Sequence, residues 1–395
     1  MSLPPLILKK NEDRRLRAGH LWVFSNEVDI ARTPLKAFVP GELIEIQASN
    51  GRTIGSGYVN PNSLICARLL SRDAEHVPDR SLLVHRLNIA LSLRARLYAK
   101  PFYRLVFGES DNLPGLVVDR YGDVLVMQIT TAGMETMKPD IVAALTKVMK
   151  PSGILVRNDV GIRELEGLPL YTEVVQGEVP DVVSIEEHAC RFEVPLTGGQ
   201  KTGWFFDQHD NRGRMLRYIP GKRVLDVFSY VGAWGIQAVA QQARESLCVD
   251  SSNAALTRAT RNALLNDVQI EVRVADAFDA LRELHAVGEK FDVVILDPPA
   301  FVKRKKDLMA GREAYQRLNQ LGMQVLERDG LLITCSCSYH MPAEALLAGI
   351  QSAARHLDRH VQVLEQGGQS ADHPIHPAIP ETSYLKAFFV RVVDA

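Results

Sequence analysis

Hydrophobic and polar positions alternate in two different ways along the chain. Up to about residue 75, short alternating runs such as Gly41–Ile46, Ile54–Val59 and Leu64–Leu70 are separated by turn residues, which predicts a small β-barrel. From about residue 222, apolar runs typical of strands alternate with segments of helical periodicity. The predicted strands are 223–227, 246–249, 271–274, 293–296, 331–334, 361–364 and 387–392, and the clearest helices are 253–265, 313–327 and 343–356.

Regular alternation of strands and helices predicts an α/β fold, a mostly parallel sheet with helices on both faces. Between the two regions, residues 81–108 predict a helical stretch and residues 109–180 a β-α-β module. The strands of that module are expected at 116–119, 124–129 and 154–156, with a helix near 135–149. We therefore expect three domains: a β-barrel over 1–75, a central α+β module over 76–184, and an α/β domain over 185–395.

The composition is that of a globular protein. Of 395 residues, 46% are hydrophobic and 24% are charged, and the net charge is −1, which excludes disordered chains and uniformly basic nucleic-acid wrappers. The five cysteines include no Cys-x-x-Cys pair, so the sequence predicts neither a disulfide framework nor a zinc ribbon. The N-terminus lacks a signal peptide, and no apolar run is long enough for a membrane span. We expect a cytoplasmic protein with no membrane association.

Positive charge is concentrated in three segments of this nearly neutral chain. Residues 81–108 carry five basic side chains and no acid, and residues 199–223 and 301–317 each carry six basic and two acidic side chains. The third segment includes the run Lys303–Lys306. Each segment alone is typical of a solvated face, but the three together favour a phosphate-binding surface for RNA.

Four acids lie at or just after the carboxyl ends of predicted strands of the α/β domain. Asp226, Asp250, Asp276 and Asp297 are 24, 26 and 21 residues apart. A single acid after a strand is commonly a helix N-cap, but four in register would line the edge where parallel sheets bind ligands. The first turn, Asp226–Gly235, is neither Gly-x-Gly-x-x-Gly nor a phosphate loop, and its acid suits a ligand with hydroxyls or a positive group.

This acid series resembles that of the class I S-adenosylmethionine-dependent methyltransferases. The resemblance implies that Asp226 and Gly232, with Ser229 in the same turn, hold the amino-acid part of S-adenosylmethionine. It implies that Asp250 binds the ribose hydroxyls, and that Asp276 with Ala277 binds the adenine. Carboxylates accept hydrogen bonds from hydroxyl, amine and ammonium donors, which suits these roles.

The stretch Asp297-Pro298-Pro299-Ala300-Phe301 resembles the active-site loop of methyltransferases that act on planar nucleobases. Pro298 and Pro299 would fix the loop, the Asp297 carboxylate would accept a base's amino hydrogens, and Phe301 would stack on the base. The alternative is an ordinary proline-rich turn with Phe301 in the core.

Two cysteines, Cys335 and Cys337, come at the end of the fifth predicted strand. Buried strand cysteines are ordinarily inert. Carbon methylation of a pyrimidine, however, needs a nucleophile, because C5 is itself unreactive toward a methyl donor. A thiolate that adds to C6 makes C5 reactive. If the strand stays extended, both cysteines point to the same face.

Nearly the whole chain resembles the PUA-domain-containing 23S ribosomal RNA cytosine-5 methyltransferases. Gly19–Ser25 is similar to their PUA segment, and 199–208 to a motif that closes over the cofactor, which implies roles for Lys201, Asp207 and Gln208. Ser336-Cys337-Ser338 followed by Met341 is similar to their nucleophile motif, which favours Cys337 over Cys335.

One position departs from the pattern of many RNA cytosine-5 methyltransferases. Pro299 stands where they carry a second cysteine that helps to release the adduct. The C5 proton must then go to another group, and Asp297, a water and Cys335 remain alternatives.

The expected reaction is methylation of a 23S ribosomal RNA cytidine, either in naked RNA or in an assembling large subunit. The alternatives are a base-amino methyltransferase, making N2-methylguanine or N6-methyladenine, a non-catalytic RNA-binding protein and a small-molecule methyltransferase. The sequence also allows a homodimer.

The stretch Asp372–Pro377 has two histidines but no third ligand cluster, so we expect a loop and no metal.

Overall fold

A computed structural model of the chain describes residues 3–73, 77–197 and 202–394. These residues form two compact units. Of the described residues, those within 1–183, 195–206 and 372–382 belong to the first unit, and those within 184–194, 207–371 and 383–395 belong to the second. The domain limits expected at residues 75 and 184 stay predictions.

The first unit begins with a five-stranded sheet in the order β1-β3-β4-β5-β2. Its core is a cluster of aliphatic side chains that includes Leu6, Ile44 and Leu69. Within Glu42–Gln47, buried Ile44 and Ile46 alternate with Glu45 and Gln47, which is the pattern that predicted a strand here. The elements are β1 Pro5–Ile7, α1 Arg14–Arg17, β2 Trp22–Val23, β3 Glu42–Gln47, β4 Thr53–Val59 and β5 Ala67–Ser71.

The rest of the first unit is built on a second five-stranded sheet, in the order β10-β9-β8-β7-β6. The helix expected throughout 81–108 is wrong beyond Leu97, because Phe102–Phe107 is a strand paired antiparallel with its neighbour. Pro101 precedes this strand, and proline cannot continue a helix. The elements are α2 Arg80–Leu97, β6 Phe102–Phe107, β7 Leu116–Tyr121, β8 Val124–Ile129, α3 Ala132–Thr136, α4 Lys138–Met149, β9 Gly153–Arg157 and β10 Thr172–Gly177.

A two-stranded hairpin, β11 Val182–Glu187 and β12 Cys190–Pro195, precedes the second large sheet. That sheet has seven strands in the order β15-β14-β13-β16-β17-β19-β18. The first five are parallel, and β19 runs antiparallel between β17 and β18. The elements are α5 His209–Met215, β13 Arg223–Val227, α6 Ala233–Ala240, β14 Glu245–Asp250, α7 Asn253–Leu265, β15 Glu271–Val274, α8 Ala277–Ala286, β16 Phe291–Leu296, α9 Leu308–Gln324, β17 Leu326–Ser336, α10 Ala343–Arg355, β18 Arg359–Gly368 and β19 Lys386–Asp394.

Both faces of the central strands are buried. Leu225 and Val227 of β13 pack into one apolar cluster, while Val224 packs into another with Val293 and Ile295. Burial on two faces explains why these strands read as continuous apolar runs rather than as alternating ones. The predicted α/β sheet is confirmed. None of the helices formed by the described residues is both long and apolar enough to cross a membrane.

Candidate active site

The four acids lie at the carboxyl ends of neighbouring strands. Asp226 is the penultimate residue of β13, Asp250 is the last residue of β14, Asp276 lies two residues beyond β15, and Asp297 directly follows β16. Because these four strands are adjacent and parallel, their ends meet at one edge of the sheet. This edge is where open α/β sheets bind their ligands.

Asp226 is fully buried and only partly satisfied. Its Oδ2 accepts a hydrogen bond from the Gly235 N–H at 3.0 Å, whereas its Oδ1 has no partner among the described residues. Burial, reinforced by the nearby carboxylates of Asp297 and Asp250, raises the pKa of Asp226 to about 7. A buried carboxylate oxygen that accepts no hydrogen bond can accept one from a ligand. A cationic donor would best favour the ionised form of Asp226.

The turn after β13 is preshaped around this carboxylate. Phe228 and Tyr230 have φ angles of 66° and 49°, a left-handed conformation that costs energy outside glycine. The Tyr230 N–H donates to Asp250 Oδ2 at 2.9 Å, which ties the turn to β14. Ser229 is buried, and its Oγ has no partner within the described part of the chain. A second unsatisfied group therefore lies in the same turn as Asp226.

Gly232 lets this turn run closely into helix α6. Its φ is 83°, and a Cβ there would lie 2.8 Å from Ile236 Cδ1 and 3.0 Å from Ala259 Cβ. A larger residue would be strained in conformation and crowded by α6 and α7. The turn and its two unsatisfied oxygens fit a small ligand with several donors, as the amino-acid part of S-adenosylmethionine has.

Asp276 is exposed and caps helix α8. Its Oδ1 accepts from the N–H groups of Phe278 at 2.9 Å and Asp279 at 3.2 Å. The helix-cap interpretation therefore holds for this acid, and any ligand contact would come in addition to the cap. Ala277, its neighbour, is buried as the first residue of α8.

Asp297 is held by two donors from different elements. Gln208 Nε2 donates to its Oδ1 at 2.8 Å, and Trp234 Nε1 donates to its Oδ2 at 3.1 Å. Burial raises the pKa of Asp297 to about 6, although both hydrogen bonds act in the opposite direction. The carboxylate is thus fixed in orientation and titrates close to neutrality.

Two residues expected from the motif at 199–208 join this edge. Gln208 accepts at its Oε1 from Asn211 Nδ2 at 2.7 Å, which orients its amide toward Asp297. Asp207 is buried, and its Oδ2 accepts from the Tyr384 hydroxyl at 2.5 Å. Lys201, the third residue expected from this motif, lies outside the described residues.

The proline loop after β16 has a buried and an exposed part. Pro298 is buried and Pro299 is exposed. Phe301 is half-buried, and its ring lies 4.8 Å from the Tyr315 ring and 6.3 Å from the Phe278 ring, measured between centroids. Phe301 therefore packs partly on the core. This position agrees with the alternative interpretation of the stretch, in which Phe301 is a core residue and does not stack on a base.

The two cysteines at the end of β17 have different environments. Cys335 is fully buried, and burial holds the pKa of its thiol well above the usual value. Cys337 follows the last residue of the strand, is half-buried, and donates from Sγ to the Pro298 carbonyl at 3.9 Å. The remaining three cysteines are buried, so Cys337 is the one thiol of the five that reaches the surface.

The serines on either side of Cys337 are anchored to Tyr315, on the buried face of α9. Ser336 Oγ donates to the Tyr315 hydroxyl at 2.9 Å, and the same hydroxyl lies 3.0 Å from Ser338 Oγ. Ser338 Oγ also accepts from the Val302 N–H of the proline loop at 3.1 Å. This network joins the cysteine segment to the loop. Sequence reasoning missed Tyr315, since in the sequence it is one more apolar position of a helix.

Some cations of the basic segments are bound to carboxylates within the protein. In 81–108, Arg94 is fully buried on Asp111 and Arg104 pairs with Asp119, so the phosphate-binding interpretation is wrong for these side chains. In 199–223, Arg212 pairs with buried Glu187. The run Lys303–Lys306 is exposed on all four side chains.

The histidine-containing stretch is structural. Asp372 and His373 are buried, Asp372 Oδ1 lies 2.8 Å from His373 Nδ1, and Asp372 Oδ2 accepts from the Arg104 N–H at 2.8 Å.

Among the described residues, Glu187, His188 and His209 have possible metal-ligand atoms within 4.8 Å of one another. The Arg212 guanidinium already binds the Glu187 carboxylate at 2.9 Å. Its positive charge disfavours a metal cation at the same position.

Comparison with known proteins agrees with this architecture. Residues 6–72 match the PUA-like domain, and residues 170–391 match the S-adenosylmethionine-dependent methyltransferase family. A methyltransferase crystallised with S-adenosylhomocysteine has the same fold, with a TM-score of 0.84 at 20% identity over 98% of this chain and all of that one. An S-adenosylmethionine-dependent methyltransferase structure from Streptococcus mutans gives 0.82 at 19% identity, with the same coverage.

Relatives similar over their full length carry one shared name. The ribosomal RNA large subunit methyltransferase I of Erwinia tasmaniensis is 39% identical over 98% of this chain and 99% of its own length. That of Aliivibrio fischeri is 40% identical with the same coverage. The cofactor of the matched domain is S-adenosylmethionine. The chain therefore belongs to the ribosomal RNA large subunit methyltransferase I family, with a PUA-like domain followed by an S-adenosylmethionine-dependent methyltransferase domain.

Proposed function

We propose that this chain methylates C5 of a cytidine in 23S ribosomal RNA, with Cys337 as the nucleophile. The observation that carries the proposal is the position of Cys337. It is the half-exposed thiol at the sheet edge, its flanking serines are anchored to Tyr315, and it contacts the proline loop through the Pro298 carbonyl. The large-subunit RNA substrate is carried over from the name of the full-length relatives.

S-adenosylmethionine supplies an electrophilic methyl group when it is bound at this edge. In our proposal, the unsatisfied oxygens of Asp226 and Ser229 accept from the ammonium group of its amino-acid part. Asp250 accepts from the ribose hydroxyls, and Asp276 and Ala277 lie against the adenine. Gly232 leaves the room that close approach to the backbone requires. Asp207 and Gln208 would complete the enclosure, and a cofactor contact of Lys201 is proposed from the sequence motif alone.

The proposed reaction has three steps. The Cys337 thiolate adds to C6 of the cytosine and forms a carbon–sulfur bond, which makes C5 nucleophilic. C5 then takes the methyl group from the sulfonium, and S-adenosylhomocysteine is the second product. Loss of the C5 proton to a base restores the C5–C6 double bond and releases the Cys337 thiolate.

Asp297 is the protein group proposed to contact the target base. Its carboxylate is fixed by Gln208 and Trp234, so it can accept the amino hydrogens of cytosine without reorganisation. Its pKa of about 6 also allows it to take the C5 proton, directly or through a water. Cys335, the other protein candidate, is buried, and burial holds the pKa of its thiol well above the usual value, so it stays protonated near neutral pH and cannot accept the proton.

RNA contact is proposed for the PUA-like domain and for the exposed run Lys303–Lys306. This run begins two residues after Phe301 of the proline loop, so phosphates bound there would flank the target nucleotide. A base inside a helix would have to be flipped out to reach Cys337.

The test is tritium release from ribosomal RNA whose cytidines carry tritium at C5. Wild type with S-adenosylmethionine should release tritium, because the C5 hydrogen is lost in each turnover, and Cys337→Ser should release none. Methyl incorporation without tritium release would overturn the proposal and would leave a base-amino methyltransferase. Cys335→Ser is the matched control and should retain release.

A further inference from the structure

Lys386 lies beside the cysteine segment through strand pairing. It is the first residue of β19, which runs antiparallel to β17, and Lys386 is opposite Ser336. Its Nζ donates to the Ser338 carbonyl at 2.6 Å and to the Tyr384 carbonyl at 2.8 Å. The two carbonyls hold the ammonium group next to the peptide that carries Cys337, and an ammonium group has a third N–H to offer.

Lys386 is a positively charged group that acts on Cys337. Cys337 interacts electrostatically with Lys386, with Tyr315 of α9 and with Cys335 of β17. Burial raises the pKa of both Tyr315 and Cys335, so these two are neutral near pH 7. The carboxylate of Asp297, whose neighbour Pro298 accepts from Cys337, opposes a negative charge on the sulfur.

The Lys386 ammonium is itself partly desolvated. The side chain is half-buried, and burial lowers its pKa to about 8, while Cys337 acts in the opposite direction. A cation with fewer waters around it interacts more strongly with a nearby anion. At neutral pH, Lys386 therefore remains mostly charged and has little solvent to screen it.

We propose that Lys386 is a positioning residue that stabilises the thiolate form of Cys337 and so prepares it to attack the base. A nearby cation increases the thiolate fraction of a cysteine, and the thiolate is the nucleophilic form. The inference rests on the proposed function, in which Cys337 is the nucleophile, and adds the charge that activates it. Lys386 acts through Cys337 and needs no contact with the RNA.

The test is the rate at which iodoacetamide alkylates Cys337 in the full-length chain, measured across pH by peptide mass spectrometry without RNA or S-adenosylmethionine. Lys386→Met keeps much of the side chain's bulk but removes its charge. We expect the midpoint of its rate–pH curve to move up by about one unit and the rate at pH 7 to fall about tenfold. Lys386→Arg keeps the charge and should stay within about twofold of wild type.

An unchanged midpoint in Lys386→Met would overturn the inference. A slower rate with the wild-type midpoint would overturn it too, because it would assign Lys386 to loop geometry alone. Lys147→Met, which removes an exposed cation of the first unit, should alkylate as wild type does. The readout does not depend on methyl transfer, so tritium release can fail while the alkylation result stands, and the reverse also holds.

Discussion

Two carboxyl groups at the edge of the large sheet, fully buried Asp226 and partly buried Asp297, have unusual acid–base properties. Asp226 and Asp297 have raised pKa values of about 7 and about 6 because both are desolvated. A group whose pKa is raised in the folded state favours its protonated form there, and its ionised form costs stability. A cationic ligand would offset that cost at Asp226, which is the reason why we propose that this acid accepts from the ammonium group of S-adenosylmethionine.

Replacement of Asp226 should separate its stability cost from its binding role. Asp226→Asn keeps an oxygen for the Gly235 N–H but removes the charge. The ordinary pKa of this carboxyl is 3.8 and its folded value about 7, so the ionised group destabilises the fold increasingly from pH 4 to pH 7. The ligand-free variant should gain on the order of 2 kcal/mol at pH 8 and progressively less toward pH 4, measured by urea unfolding.

The same variant should bind S-adenosylmethionine about 10- to 100-fold more weakly, because a charge-assisted hydrogen bond is lost, as calorimetry would measure. Asp123→Asn, in an exposed turn of the first unit, controls for the change of charge and should alter neither quantity. Tighter cofactor binding by Asp226→Asn, or lower stability at pH 8, would contradict the assignment.

The pKa of Asp297 predicts how the methylation rate depends on pH under acidic conditions. Since the carboxylate form is the one that accepts from the base or takes a proton, single-turnover methylation should rise with pH around 6, where Asp297 loses its proton. Asp297→Asn should lower the rate by about 100-fold or more. Cofactor affinity, measured in parallel, should change little. A rate that is flat between pH 5 and 7.5 would show that this carboxyl takes no part.

Close packing between α6 and β14 positions Asp226 at the scale of elements. A Cβ at Gly235 would lie 2.5 Å from Cys248 Sγ and 2.7 Å from Ser246 Oγ. Gly235→Ala should therefore cost about 1–3 kcal/mol of stability, as overpacking of a tight core does. The measurement is urea unfolding.

A compensating change in β14 makes this packing prediction sharper. Cys248→Ala removes the nearer clashing atom and should restore part of the stability lost in Gly235→Ala, although alone it leaves a small cavity and destabilises. Additive losses in the double variant would show that the helix and strand do not meet at this point.

The exposed basic run after the proline loop predicts a salt dependence. Lys305→Gln with Lys306→Gln should weaken RNA binding and reduce the slope of log affinity against log salt by about 1.5, since two phosphate contacts are lost. Filter binding across salt concentrations measures this slope. S-adenosylmethionine affinity should not change. The matched pair Lys147→Gln with Lys150→Gln removes two exposed lysines elsewhere, and an equal effect there would mean that the run has no special role.

Local sequence patterns predicted the elements where burial alone decides the structure. The strand Arg223–Val227 and the helix 253–265 have the expected limits, because continuous apolar runs and helical periodicity directly reflect burial. The strand Phe102–Phe107 was missed because its apolar residues follow a helix without a clear change of period. Pro101 was the available signal.

Ion pairs and contacts between residues far apart in the chain could not be predicted from the sequence, because they depend on the fold of the whole molecule. The segment 81–108 has five cations and no acid, yet Arg94 and Arg104 find Asp111 and Asp119, which only the folded sheet brings near. The same limit hid Tyr315 and Lys386, whose contacts with the cysteine segment arise from helix packing and an antiparallel strand pair. The acid series was predictable because parallel strands place their ends at one edge.

The proposed mechanism requires a covalent bond between Cys337 and the target cytosine. The most direct measurement uses 23S ribosomal RNA in which 5-fluorocytidine replaces cytidine. After methyl transfer, fluorine occupies the place of the departing proton, so the adduct cannot resolve and should persist through denaturing electrophoresis.

Wild type and Cys335→Ser should both yield the RNA-linked protein when S-adenosylmethionine is present, with the nucleotide mapped to the Cys337 peptide by mass spectrometry. Cys337→Ser should yield none. An adduct on Cys335, or full methylation of unmodified RNA by Cys337→Ser, would contradict the account.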